Sequence, residues 1–378
     1  MRLGFLVNPI SGMGGAVGLK GTDGHLYQEA LRRGAKPVAP SRALRFVKAL
    51  RKIGFTGEVV AANCVMGCDY FEGSGIKHAC IPVPEECERT SPRDTSEAVR
   101  EFVRSRVDLI VFVGGDGTAR DIAEAVKGSD IPILGIPAGV KMYSGVFAIS
   151  PEAGAEVVAA FDAGRAEVEV SEVADVDESS LNEGVIRVRR YELVRTPKIT
   201  GLVTPTKNFG GGDEGSKEAI AEYFVEEYIK PDHLYFLGPG TTIKAVADVL
   251  KVPKTLLGVD AFRNGSLVGS DLGVKEILNL IRRYGNPHIV VTVIGAQGYL
   301  FGRGNQQFSS EVLKLVRKEN IHVLATESKL RGLKYLLIDT GDPELDIKLS
   351  GHVRVITGYR EEKVVKAVPA CLPSRILS

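Results

Sequence analysis

Asp108-Leu-Ile-Val-Phe-Val113, running into Gly114-Gly-Asp-Gly-Thr118, is the stretch that decides the fold. Leu109 to Val113 is a continuous apolar run of strand length, as expected of a strand buried on both faces of a parallel sheet. It breaks at Gly114 and restarts as an amphipathic helical pattern from about Thr118 to Lys127. Open α/β sheets place ligands at the carboxyl ends of such strands. The glycines let amides approach a ligand with no Cβ in the way, and the helix start presents unpaired N–H groups and a positive dipole end. Together these make an anion cradle suited to phosphate. Asp116 inside it has a bland reading, a turn stabiliser or helix cap. Its chemical reading is a carboxylate that holds Mg²⁺ against phosphates or accepts the proton of an attacking hydroxyl. The complete strand, turn and helix context favours the chemical reading.

The same rhythm extends outward on both sides. Leu3–Val7 reads as a first strand followed by a glycine cluster from Gly12 to Gly24. Arg42 to Lys52 has helical spacing of Leu44, Val47 and Leu50, and Glu58–Ala62 is a strand. Thr95 is placed to cap a helix running to about Arg104. Ile131–Ile136 is another strand, ending at Pro137-Ala138-Gly139. This βαβαβ alternation predicts a doubly wound α/β domain over residues 1–148. After a helix near Pro151–Phe161, Ala166–Val170, Leu181–Arg190 and Tyr191–Val194 alternate in the β manner and predict an antiparallel sheet. The α/β rhythm returns from His233 to about Leu330, with strands Leu234–Leu237 and His288–Ile294 and helices from Thr242 and over Ser310–Lys318. Lys334–Asp339 and His352–Val368 read as further antiparallel strands. Residues 149–378 are therefore expected to form a β-rich second domain with an α/β portion, with the active site in the crevice between the two.

With 378 residues, two domains are the default. Lys plus Arg (48) and Asp plus Glu (47) nearly cancel, for a formal charge of +1, so a nucleic-acid or anionic-membrane partner has no support. No apolar run approaches the roughly 20 residues that span a bilayer. MRLGFLVNPI reads as a strand rather than a signal peptide, so a cytoplasmic location is expected. Cys64, Cys68, Cys80 and Cys87 fit no standard zinc spacing; ordinary thiols are the default, with a disulfide as the alternative. The six histidines show no metal spacing and are expected in ordinary polar or surface roles.

Gly-Gly-Asp-Gly-Thr is also a signature, and here it resembles that of the superfamily of NAD kinases, diacylglycerol and sphingosine kinases and 6-phosphofructokinases. VNPISGMGGAVGLKGTDG (7–24), GGDGTARDI (114–122), LGIPAGVKMYSGVFA (134–148), LGPGTT (237–242) and GAQGYLFGRGNQQFS (295–309) narrow the likeness. Together they resemble the archaeal and bacterial ATP-NAD kinase branch that includes the AcoX-like proteins, over essentially the whole chain. The resemblance implies a kinase that phosphorylates the ribose 2′-hydroxyl of NAD, with ATP or polyphosphate as donor and Mg²⁺ as cofactor. It implies small-molecule partners, NAD and ATP, and a homo-oligomer. It makes Asp116 the general base and Gly114, Gly115, Gly117 and Thr118 the phosphate-binding loop, and assigns dinucleotide contacts to Asn182 and Glu183. Gly238-Pro239-Gly240-Thr241-Thr242 stands where ordinary NAD kinases carry a Thr-Pro-Thr-Gly-Ser-Thr loop, and this departure leaves the acceptor open. A sugar, polyol or lipid hydroxyl is the alternative acceptor, and a non-catalytic nucleotide-binding regulator is a third reading.

Other residues are singled out by position. Asn8 at the tip of the first strand, Lys20 after the first glycine loop and Lys141 after Pro137-Ala138-Gly139 are candidate phosphate contacts; Gly238, Gly240 and Thr241 are candidates in the later loop. Against these stand a local turn role, a solvated lysine and a tight strand-to-helix turn. Mg²⁺ is expected to be held mainly through phosphates, with Asp116 as an alternative ligand. Arg303, in a polar glycine-rich loop, reads equally as a bidentate phosphate ligand or as part of a surface loop. Asp116, with a reference pKa of about 3.9, is expected to be a weak base that takes the proton late.

Overall fold

Five short segments form the first sheet of the computed structural model, four of them with buried interiors and the third, at the edge, with Ala79 and Cys80 exposed. They are β1 (Arg2–Val7), β2 (Glu58–Ala62), β3 (His78–Ile81), β4 (Leu109–Gly114) and β5 (Ile133–Pro137). All neighbours are parallel, in the order β3-β2-β1-β4-β5. The chain builds outward from β1 to β3, then returns to the other side of β1 with β4, so the winding reverses between β1 and β4. Ligands of doubly wound sheets bind outside such a switch point. The structure describes all residues except 20–24, 85–86, 88–89, 141, 177–187, 206–213, 295–296, 374–375 and 377–378.

The helix Pro92–Arg104 starts a turn earlier than Thr95 suggested. Ser91 and Asp94 form a reciprocal cap, with the Ser91 amide and hydroxyl both donating to Asp94 Oδ2 at 2.7 Å. Thr95 is buried inside the helix instead. The antiparallel sheet expected from three segments after residue 165 is two longer strands, β6 (Glu167–Val176) and β7 (Val188–Lys198), the latter running through Arg190 and Tyr191. Residues 181–187 lie outside the described residues. The β6–β7 pair is a separate two-stranded sheet in the same compact unit as the first, as is the described part of the segment between residue 149 and β7. The compact units are residues 1–13, 36–207 and 371–378, and residues 14–35 with 208–370. The expected division at 148/149 differs from this because residues beyond 148 are bonded back to β5 and its loop. Ile149 N donates to Leu202 O at 2.9 Å and Thr204 N to Phe147 O at 2.8 Å. Glu152 also takes a two-pronged bond from Arg45, at 2.9 and 2.8 Å.

The second unit is built on a nine-stranded mixed sheet. Its strands are β8 (Leu234–Leu237), β9 (Asp260–Arg263), β10 (Ser266–Gly269), β11 (Pro287–Thr292), β12 (Tyr299–Phe301), β13 (Ile321–Leu324), β14 (Leu336–Ile338), β15 (Gly351–Gly358) and β16 (Glu361–Pro369). Their order is β10-β9-β8-β11-β13-β15-β16-β14-β12. β15 and β16 form the expected antiparallel hairpin. β14, expected to be antiparallel as well, pairs parallel with both β12 and β16. The helix Pro343–Leu349 lies between β14 and β15, and it is the β15–β16 hairpin that brings β16 back beside β14 in the same direction. The helix expected over Ser310–Lys318 is the single turn Ser310–Leu313.

The cysteines depart from their sequence reading, and three histidines take the ordinary polar role expected of them, but buried or half-buried. Cys64 is paired with Cys87 and Cys68 with Cys80, because parallel pairing of β2 with β3 sets the segment after β2 beside Cys80 of β3 and the segment after β3. Ordinary thiols are the default reading of these four and one disulfide the alternative; the fold has two. Three histidines also lie side by side at the amino ends of β8, β11 and β13. His233 Nδ1 is 2.8 Å from His288 Nε2, and His288 Nδ1 is 2.9 Å from His322 Nε2. Burial, then the neighbouring His233 and Lys230, push His288 down to about 4. Burial, then His288 and Lys230, do the same to His322. These two imidazoles are therefore neutral packing and hydrogen-bonding groups, not surface residues.

A buried ion pair holds the entry to β9. Lys254 Nζ lies 2.8 Å from Asp260 Oδ2, with both side chains almost wholly out of solvent. Asp260 also accepts from the amides of Thr255 and Asp271, each at 2.8 Å, and from the Ser270 hydroxyl at 3.0 Å. Removing one partner strands the other charge in the interior. Lys254→Met is expected to lower the unfolding free energy in urea by about 3–5 kcal/mol; a loss below about 1 kcal/mol would show that the pair is not structurally coupled.

Candidate active site

Three loops meet at the carboxyl ends of β1, β4 and β5, and each is fixed by the backbone of another. Asn8 N donates to Val113 O at 2.9 Å, which ties the tip of β1 to β4. The Asn8 side-chain amide donates to Thr118 Oγ1 at 2.9 Å, linking that tip to the helix Asp116–Ala125. Gly114 O receives the amides of Ala138 at 2.9 Å and Gly139 at 3.2 Å, which brings the β5 loop against β4. Gly12 turns the first loop with φ +83°, and a Cβ there would sit 1.9 Å from Ala138 O. Only glycine fits that position. Gly115 is the extended residue before the helix, with Gly117 and Thr118 in its first turn. The predicted residues Asn8, Gly114, Gly115, Asp116, Gly117 and Thr118 are thus gathered in one place, at the switch point. Lys20, Lys141, Asn182 and Glu183 lie outside the described residues.

Asp116 is the first residue of the helix and is 4% exposed. Its Oδ2 accepts the Tyr143 amide at 2.6 Å. Its Oδ1 accepts the Ser144 amide at 3.0 Å and the Ser144 hydroxyl at 2.6 Å. Burial pushes this carboxyl up to about 7, against those bonds, and the charge of Asp175 on β6 adds to the rise. The sequence reading of a weak base near 3.9 is corrected by burial: a carboxylate of this proton affinity is matched to taking a proton near neutral pH. Arg120, a turn further along the helix, lies 3.6 Å from Asp175 and 3.7 Å from Asp121, with its guanidinium over the Tyr191 ring. It is an ion-pair residue.

The later loop has its own cluster within the second unit. Gly238 leaves β8 and donates to Val290 O at 2.9 Å. Gly240, at φ +113°, donates to Leu256 O at 2.9 Å, in the segment that Lys254 and Asp260 hold. Thr241 opens the helix Thr241–Val249 and is exposed, while Thr242 is buried. Lys329, from the turn after β13, places its ammonium 2.8 Å from Thr242 Oγ1 and 3.0 Å from Thr292 Oγ1 at the end of β11. A helix start and a lysine therefore stand together at adjacent carboxyl strand ends, a combination suited to an anion, while the Gly238 and Gly240 amides are taken up in bracing the loop. Arg303 is not on a surface loop: it is 2% exposed, with its guanidinium 4.1 Å from the Tyr299 ring centre.

Sequence reasoning missed Tyr143, Ser144, Thr292 and Lys329. Lys329 sits in the helical turn Glu327–Leu330, five residues past the end of β13, so the rule that ligands lie at carboxyl strand ends points to its segment. Ser144 gives no local signal, because it meets Asp116 from 28 residues away. Among the described residues no three His, Cys, Asp or Glu side chains are grouped as around a metal ion. Asp116 is already engaged by three donors. This donor set fits a divalent cation carried in on phosphates better than one caged by side chains.

The family model of the ATP-NAD kinase N-terminal domain matches residues 3–166, and that of the ATP-NAD kinase C-terminal domain matches residues 231–367. No curated protein matches the chain. Among solved structures, UDP-GlcNAc 2-epimerase from Neisseria meningitidis bound to UDP-GlcNAc aligns over 92% of this chain and 80% of that chain. Its identity is 11% and its TM-score 0.23, a likeness too slight to bear on fold or function. No helix among the described residues is long and apolar enough to cross a membrane.

The tightest contact of the three loops gives a direct check. Gly12→Ala is expected to cost about 1–3 kcal/mol from the left-handed backbone and the clash with Ala138 O. It should also reduce turnover at least tenfold by displacing the loop beside Gly115, measured by thermal melting alongside a kinase assay; a variant matching wild type in both would refute the packing role.

Proposed function

The chain belongs to the ATP-NAD kinase family and is a phosphotransferase with an alcohol acceptor, and we propose that it makes NADP by phosphorylating the adenosine ribose 2′-hydroxyl of NAD. ATP or inorganic polyphosphate is the donor. The observation that carries this reading is Asp116: a buried carboxyl with its proton affinity raised to about 7, at the mouth of a glycine-amide cradle.

Phosphoryl transfer passes through a loose transition state, so the protein acts mainly by positioning and by offsetting charge. In this reading the amides of the Gly114–Thr118 loop and the helix start hold phosphate oxygens. Asp116 orients the acceptor hydroxyl and takes its proton as the new O–P bond forms. Mg²⁺ bound to the donor phosphates would supply further charge neutralisation. Asn182 and Glu183 hold the dinucleotide by family resemblance. Gly238, Gly240 and Thr241, backed by Lys329, hold a second anionic part of the substrates; Lys20 and Lys141 are further phosphate contacts. Protomers associate as a homo-oligomer.

The Gly-Pro-Gly-Thr-Thr sequence at residues 238–242 favours one second reading, a kinase of the same family acting on a sugar, polyol or lipid hydroxyl. Purified protein with ATP or polyphosphate, Mg²⁺ and a panel of acceptors separates the two. NADP is the expected product, and a phosphorylated sugar or lipid without NADP would replace the first reading by the second.

Asp116→Asn is expected to lower turnover by about 10²–10⁴ with an unchanged circular dichroism spectrum. The wild-type kcat/KM should fall as pH drops below about 7, one proton inactivating the base. A rate flat from pH 5 to 8, or near-wild-type turnover by the asparagine variant, would end the general-base assignment.

A further inference from the structure

We propose that Ser144 is a positioning residue for Asp116, its hydroxyl holding the buried carboxylate in the ionised form that can accept a proton. The inference rests on the reading of Asp116 as the proton acceptor.

Ser144 is fully buried and three groups surround its hydroxyl oxygen. Asp116 Oδ1 lies at 2.6 Å, Ala174 N at 3.0 Å and Ala174 O at 3.0 Å. The Ala174 amide can only donate, so it occupies one lone pair of the hydroxyl and fixes the oxygen against β6. The single hydroxyl hydrogen then has two possible acceptors, the Ala174 carbonyl and the carboxylate. The carboxylate is nearer and charged, and charge-assisted O–H···O⁻ bonds are the shorter and stronger kind. The hydrogen therefore points at Asp116 whenever that group is ionised.

Ser144 is the one side-chain donor to Asp116 among the described residues; the other two bonds come from backbone amides. The charged and titratable groups around the carboxyl are Tyr143 on the same loop, Asp175 on β6, and Arg120 and Asp121 along the helix. Tyr191 of β7 lies beneath Arg120. Burial and Asp175 both favour the protonated carboxyl, and the Ser144 hydroxyl opposes them. Losing that bond moves Asp116 toward the protonated form, which cannot act as a base.

The test compares wild type, Ser144→Ala, Ser144→Thr and Asp116→Asn, using the acceptor that the wild-type chain phosphorylates. Ser144→Ala should shift the acid limb of kcat/KM upward by about one to two pH units. At pH 7 it should then run about 5- to 50-fold below wild type, and at pH 9 it should come within about twofold. Ser144→Thr, which keeps the hydroxyl, should return the limb toward wild type. The infrared C=O band of the protonated carboxyl, identified by its loss in Asp116→Asn, should persist to correspondingly higher pH in Ser144→Ala without any substrate. An unshifted limb and an unshifted band, with or without a uniform loss of rate, would overturn the proposal. If Asp116→Asn keeps wild-type turnover, the base assignment itself falls; if it is inactive while Ser144→Ala titrates like wild type, only the role of Ser144 falls.

Discussion

The conflict that organises the first unit is a carboxylate kept out of water at the start of a helix. Burial drives Asp116 toward its neutral form, while two backbone amides and one hydroxyl hold it toward the charged form. Those donors come from the loop after β5, so the carboxyl cannot have its surroundings unless that loop is drawn against β4. The bonds from Ala138 and Gly139 to Gly114 O do the drawing. The left-handed turn at Gly12 leaves room for the same loop. Backbone packing at three strand ends and the proton affinity of one side chain are one constraint viewed from two sides.

Much of the first unit was legible in the sequence because its signals are local. An apolar run that ends in glycines and restarts with helical spacing specifies strand, turn and helix within a dozen residues. β4 lies where that pattern put it, and the helix Asp116–Ala125 begins and ends two residues earlier than the spacing suggested. β2 and β8 match their predicted bounds. Interactions between distant segments were not legible. Ser144 reaches Asp116 across 28 residues, and Lys329 reaches Thr242 across 87. Strand direction is likewise invisible in a three-residue apolar run such as Leu336–Ile338: alternation shows which face is buried but not which neighbour lies alongside. The four clustered cysteines misled for a related reason, since only the pairing of β2 with β3 brings their partners together.

The second unit repeats the logic of the first with different chemistry. A glycine loop again leaves a parallel strand and opens a helix, but no carboxylate stands in it; the charged group that arrives is Lys329. The loop is braced from behind by Leu256, in the segment that the Lys254–Asp260 pair anchors. A buried ion pair is a costly way to hold a loop compared with apolar packing. It does give the segment that braces Gly240 one defined geometry.

The raised proton affinity of Asp116 reaches beyond catalysis to the folding equilibrium itself. In the unfolded chain this carboxyl would titrate near its ordinary 3.8, whereas in the fold it holds its proton up to about 7. By linkage, its contribution favours the native state most below the unfolded value and drains away as pH rises through the folded one. The group is therefore ionised, and most useful, in the range where it supports the fold least. The molecule carries a local instability of its own making at the point where chemistry is wanted, and the rest of the core, from Leu3 to Val368, must outweigh it at every working pH.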